Sequence, residues 1–300
     1  MVVLDNISNG YRDLILPMAC EDEVLRRAIG VVAAQHLGQK RPDLQNVAET
    51  GRSAVISRLR RDALQAPPER VFNMYTWATL IVLLVGETVT GSGEYGYLLQ
   101  MLLCLSRSRS NQPKDGASSV ENFLVQQTHM FEFLSKPLLG TSEEETDAFS
   151  TTSPTPTRPS LDRYLDWLTY TSLPPDSAHA ALISITRQAF LQAFRLNTSH
   201  DLHSPLLLVH LQHLVQQIDP DAPVAHVLVW VCFLGAAAPG ADAAQRAFFT
   251  ARMNAVHAKT GFGNIPAAIR SLKEIWARRD RASDERRGGY LVGGSPVLVM

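Results

Sequence analysis

A chain of 300 residues with 28 Lys and Arg against 29 Asp and Glu has a formal net charge of -1, so it lacks the bulk excess of cations needed to hold nucleic acid by its phosphates. Hydrophobic residues make up 45% and charged residues 19%, a globular balance with material for a sizeable core. The longest apolar runs, residues 77–85 and 222–238, fall short of the roughly 20 residues that cross a bilayer. The opening "MVVLDNISNGYRD" has no basic segment followed by an apolar one, which argues against a signal peptide and for a soluble, intracellular protein.

The three cysteines, Cys20, Cys104 and Cys232, are far apart and odd in number, so neither a disulfide framework nor a zinc site follows. Each lies in an apolar run and is expected to be a small buried hydrophobe, which suits a reducing compartment.

Helical periodicity dominates the chain. Residues 20–37 place Val24, Leu25, Ala28, Val32 and His36 on one stripe. Glu21, Asp22 and Glu23 stand at its start, where negative charge suits the helix dipole, and Pro17 ends a short helix before it. Residues 43–64 predict a helix with Val47, Ala54, Val55, Leu59 and Ala63 inward and Arg58, Arg60 and Arg61 on a solvated face. Residues 67–86 open with prolines tolerated in a first turn and close on Gly86. Two more helices are expected over residues 94–106 and 118–139, the second stopping at Pro137. Residues 140–160, acidic and then rich in Ser, Thr and Pro, have almost nothing to bury and predict a flexible loop. Helices resume over residues 160–170, 175–196, 203–218, 222–235 and 242–261. No strand and no fixed repeat emerges. The expectation is an all-α fold: an irregular domain of roughly ten or more helices over residues 1–280, without significant sheet, and a disordered tail at 281–300.

Motifs that would carry chemistry are weak. "GSGEYG" (residues 91–96) has the spacing of a dinucleotide fingerprint. However, "GETVT" separates it from the apolar run, and no second strand follows, so an inter-helix turn is the better reading. His200, His203, His210 and His213 cluster, with His210 and His213 at helical spacing. A metal site would need a third ligand of suitable geometry, and Asp201 and Asp219 match no known spacing. No nucleophile elbow, H-E-x-x-H, C-x-x-C or Walker loop occurs, so no catalytic, cofactor-binding or metal residue is assigned. Basic clusters at 57–61, 106–109 and 277–287 leave room for a nuclear-import patch. For a buried pocket among apolar helices, Tyr75, Trp77, Trp230 and Phe233 are the large side chains to inspect.

The segment "GFGNIPAAIRSLKEIWARRD" (residues 261–280) predicts a closing helix. Gly261 and Gly263 permit a tight turn, Asn264 can cap, and Pro266 sits in the first turn. Ile265, Ala268, Ile269, Leu272, Ile275 and Trp276 form its apolar stripe, while Arg270, Lys273, Glu274, Arg278 and Arg279 face water. This stretch resembles the closing segment of the fungal-specific transcription factor domain, the regulatory region found with binuclear zinc-cluster DNA-binding modules. "YRDLILPMACEDEVLRRAIGVVAAQHL" is similar to that family's opening, and "APVAHVLVWVCFLGAAA" with "RAFFTARM" to its penultimate helices.

The resemblance implies a nuclear all-α regulatory domain, not an enzyme. It implies protein partners in the transcription machinery, a homodimer, or a small-molecule effector, with no cofactor, no membrane and no direct nucleic-acid contact. The six clustered cysteines of a zinc-cluster module are missing from these residues. Zinc is thus expected only with a separate module attached upstream, and the chain reads as a regulatory region parted from that module or as a solo version. The rival readings are a helical scaffold unrelated to transcription and a metal-dependent enzyme built on His200–His213.

Overall fold

Asp22 and Asn73 show how the helices begin. Each accepts a bond from a free amide of the first turn, Leu25 N at 2.8 Å and Thr76 N at 2.8 Å, which satisfies donors that have no partner within the helix. In the computed structural model the described residues are 4–5, 7–65, 67, 71, 73–110, 118–135, 161–169, 173–174, 176–198 and 204–284. They form eleven α-helices and no strand, as the periodicity predicts. Two compact units divide the chain: Met1–Glu132 with Gly261–Gly263, and Phe133–Thr260 with Asn264–Met300.

In the first unit a π-helical turn (Tyr11–Ile15) leads into α1 (Leu16–Glu21). The helices α2 (Glu23–Gly38), α3 (Gln45–Gln65), α4 (Met74–Thr90) and α5 (Tyr95–Ser110) follow, and then α6 (Ser119–Ser135), within which the division falls. The centre is α4, buried on all sides from Trp77 to Leu84, as expected of a helix apolar all round. Small residues let its neighbours close in. A Cβ on Gly86 would lie 2.9 Å from Gln35 Oε1 and 3.1 Å from Val32 Cγ2, and one on Gly51 would lie 2.8 Å from Val31 Cγ2. So α4 runs through Gly86 rather than ending there. It stops at Gly91, whose φ of 69° lies in the left-handed region that ends helices.

The inward faces are rotated slightly from those expected. In α2 the buried residues are Leu25, Ala28, Val31 and Gly38; Val32 is half-buried and His36 exposed. In α3 they are Ala48, Val55 and Leu59, while Val47 is 63% exposed and Ala63 is also exposed. A 3.6-residue period survives a small rotation of the helix, so several apolar positions compete for the core and the neighbouring helix decides among them.

The second unit contains a 3₁₀-helix (Leu161–Leu168), α7 (Ala178–Thr198), α8 (Ser204–Gln216), a 3₁₀ turn (Ala225–Leu228), α9 (Val229–Ala237), α10 (Ala243–Thr260) and α11 (Asn264–Asp284). Residues 161–168 thus adopt the tighter helix rather than an α-helix. Here α9 is the buried centre, enclosed from Val229 to Ala236. Gly235 admits the ring of Phe249 from α10, to which a Cβ would come within 2.6 Å. The loop expected at residues 140–160, and residues 285–300 of the tail, lie outside the described residues.

The cysteines depart from expectation. None of the three is in a disulfide, but only Cys232 is buried, and Cys20 and Cys104 are exposed.

Candidate functional site

The four aromatic positions singled out by the sequence fall in different units. In the first, Trp77 is 2% exposed and donates Nε1–H to Thr128 Oγ1 at 2.9 Å, while half-buried Tyr75 donates its hydroxyl to Glu21 Oε2 at 2.7 Å. In the second, Trp230 is fully buried and donates Nε1–H to the Leu134 carbonyl at 2.9 Å. Its indole stacks on Phe190 at 5.5 Å between centroids and 14° between planes, and lies 5.1 Å from Phe133. Phe133 in turn stacks on Phe194 and Tyr164. Phe233 is buried nearby in α9. The void between α9 and α10, lined by Val229, Cys232, Arg252 and Met253, has a volume of about 10 Å³, room for one water at most. Burial pushes the Cys232 thiol up to about 12, so it stays protonated and unreactive.

The "GSGEYG" stretch is an inter-helix turn with a polar anchor. Gly91 ends α4, and Ser92 Oγ donates to Glu87 Oε2. Glu87, with its side chain 1% exposed, also receives Arg52 Nη2 at 2.6 Å, and the other Arg52 nitrogen reaches Glu94 Oε2 at 2.5 Å. Burial lifts the Glu87 carboxyl above the usual carboxylate range, against the opposing pull of Ser92 and Arg52. This network ties α3 to the end of α4 and to the turn that follows it.

The closing segments act through helix ends. The last carbonyls of α9 have no partners within their helix; Trp276 Nε1 donates to Ala236 O at 2.8 Å and Arg279 to Ala237 O. Arg246 of α10 lies over the Trp276 ring at 5.4 Å. Arg252 bonds the carbonyls of Val215 in the last turn of α8 and of Ile218 just beyond it, and Lys259 bonds Pro220 O at 2.9 Å. Arg279 therefore serves a neighbouring helix instead of facing water. Asn264 is a buried helical residue at the start of α11, reached through Gly261 at φ 68° and Gly263, whose amide donates to Val89 O at 2.9 Å.

Exposed residues offer a different kind of site. His210 and His213 both face outward on α8, while His200 and His203 lie outside the described residues. Among the described residues no group of three or more potential metal ligands occurs, and no helix is long and apolar enough to cross a membrane. On the first unit, the open end of the α2–α3 hairpin holds a groove of about 250 Å³ lined by Glu23, Val24, Arg27, Val55, Arg58 and Arg61, among others. The sequence pointed to the "SRLRR" cluster, but the groove is lined by residues of both helices, which no spacing along either one reveals.

The family model for the fungal specific transcription factor domain matches residues 1–192 and 177–288. The chain belongs to that family. No curated protein and no solved structure matches it significantly. As a fungal-specific transcription factor domain, it sits in a family of transcription regulation rather than of enzymes. The segments that carried the resemblance now have physical roles in this domain. The opening Tyr11 donates its hydroxyl to Gln127 at 2.9 Å and meets Phe123 edge-on at 5.2 Å. The terminal Trp helix and "RAFFTARM" supply the side chains that close helix ends.

Proposed function

We propose that this domain regulates transcription by presenting helical surfaces to protein partners of the transcription machinery, to a second copy of itself or to a small-molecule effector, without touching DNA. The observation that carries the reading is the family match along most of the chain. Its composition supports it: three widely separated cysteines cannot build a two-zinc DNA-reading module, and a net charge of -1 gives no field for phosphates. In this reading the domain works in the nucleus, takes no cofactor of its own, and meets zinc only through a zinc-cluster module attached upstream.

Regulation would then be a population shift, in which whatever binds one packing of the helices better changes the surface on show. An effector acting at Trp230 or Phe233 would have to open the packing of the second unit, one acting at Trp77 that of the first, whereas Tyr75 is half-buried; either opening would move tryptophan fluorescence. The test is to tether the full chain to a foreign DNA-binding domain beside a reporter in a fungal nucleus. The expected result is a change in reporter output; output equal to that of the foreign domain alone would refute the reading and leave a scaffold unrelated to transcription.

A further inference from the structure

Three exposed arginines at one end of a helical hairpin need an explanation that folding does not supply. The helices α2 and α3 run antiparallel, joined by the short turn at Pro42–Leu44. They close tightly where Gly51 meets Val31, and a groove lies between residues near the start of α2 and in the second half of α3. The groove has an apolar floor of Val24, Ala54 and Val55, and its walls carry Arg27, Arg58 and Arg61 with Glu23, while Asp62 beside it pairs with Arg58.

The existing ion pairs there hold the cations loosely. Arg27 reaches Glu23 at 3.2 Å with both side chains more than half exposed, and Arg58 reaches Asp62 at 2.9 Å with exposures of 54% and 40%. Solvated pairs of this kind are worth little and exchange readily. Among the described residues Arg61 has no carboxylate partner. One turn further along α3, Leu64 is 87% exposed, an apolar side chain left in water beside a cationic groove.

We propose that this groove is a docking site for an acidic peptide segment of a partner protein, carrying apolar side chains among its carboxylates. Charge complementarity selects the occupant. Guanidinium groups bind carboxylates in paired fashion, and the space takes one or two apolar side chains on the Val24–Ala54–Val55 floor. Leu64 offers a further apolar contact at the open end. The proposal rests on the reading that the domain acts through partners, and it names the chemistry of one such partner and where it sits.

The test uses the full chain and a fluorescein-labelled synthetic peptide repeating Asp-Leu-Glu-Phe, followed by fluorescence anisotropy. The expected result is saturable binding that weakens as sodium chloride is raised from about 50 to 200 mM. Binding should fall at least tenfold, roughly one decade in Kd, for the Arg58→Glu/Arg61→Glu variant and for Ala54→Trp, which fills the groove without changing charge. The amide version of the peptide, with Asn and Gln replacing the acids, should bind at least as weakly. Circular dichroism checks that both variants keep their helices.

Equal affinity for acid and amide peptides, or unchanged affinity in both variants, overturns the proposal. So does an RNA oligomer that binds as tightly and is lost in the same variants, which would make the groove a phosphate site. A chain that sediments as a dimer, with Arg58→Glu/Arg61→Glu returning it to monomer, would assign the groove to a second copy and overturn it as well. Because the binding is measured in solution, its failure is separable from failure of the tethered reporter.

Discussion

Removing Arg52 leaves a buried carboxylate with one hydroxyl donor where it had a cation as well. In the folded chain Glu87 has a side chain 1% exposed and Arg52 one 16% exposed, 2.6 Å apart. Breaking such a pair from one side costs about 3–5 kcal/mol, whereas replacing both members with apolar groups of similar size is close to neutral. Arg52 retains some solvent, so the lower end, about 3 kcal/mol, is the expectation for Arg52→Met. Against a total stability of roughly 5–15 kcal/mol, that is a large fraction. The Arg52→Met/Glu87→Leu double variant should recover most of it. Glu94→Gln should cost under about 1 kcal/mol, because Glu94 is 63% exposed and its bond to Arg52 is solvated.

The same carboxyl sets a pH dependence. Burial raises the folded-state value of Glu87 above that of an ordinary glutamate, about 4.3, so the folded state holds this proton more tightly than the unfolded chain does. Its contribution to stability is fully present below that value and is lost as pH rises through the raised folded value. Wild-type stability should therefore fall relative to Glu87→Gln as pH climbs from about 4.5, and more steeply in Arg52→Met, where the main opposing cation is gone. Urea denaturation followed by circular dichroism across this range measures both effects. Single variants that each cost less than about 1 kcal/mol, or a double variant whose loss equals the sum of the singles, would refute the claim of a coupled buried pair.

Other outcomes follow from single contacts. Trp276→Phe keeps a ring on the apolar face but loses the donor to Ala236 O, and should destabilise by about 1 kcal/mol in a denaturant titration. Gly235→Ala would bring a Cβ within 2.6 Å of the Phe249 ring and should cost about 1–3 kcal/mol by overpacking, read as a lowered melting temperature. A thiol reagent should label exposed Cys20 and Cys104 in the native chain and reach Cys232 only after unfolding, since that thiol is buried and held protonated; mass spectrometry counts the adducts.

How far the sequence revealed this protein depends on the kind of information asked of it. Helix order followed from periodicity because residues 77–85 and 222–238 are apolar enough to be buried centres whatever packs on them. Which residue of α2 or α3 faced inward did not follow: Val47 and Ala48, or Val31 and Val32, satisfy nearly the same pattern, and only the neighbouring helix chooses. The end of α4 was misplaced because Gly86 looks like a stop signal, while its real use is to let Gln35 and Val32 approach. Arg279 was read as solvated since nothing in "WARRD" states that a free carbonyl of α9 lies within reach. The α2–α3 groove was hidden for the related reason that it is a gap between elements, and a gap leaves no mark on either strip of sequence.

The bonds from Trp276 and Arg279 to the end of α9 impose an order on the life of the chain. The most enclosed helix of the second unit is synthesised some forty residues before the side chains that finish it, and until the ribosome has passed Arg279 two of its carbonyls must be satisfied by water. A chain clipped before Trp276 would lack both donors and leave these two carbonyls of α9 to solvent.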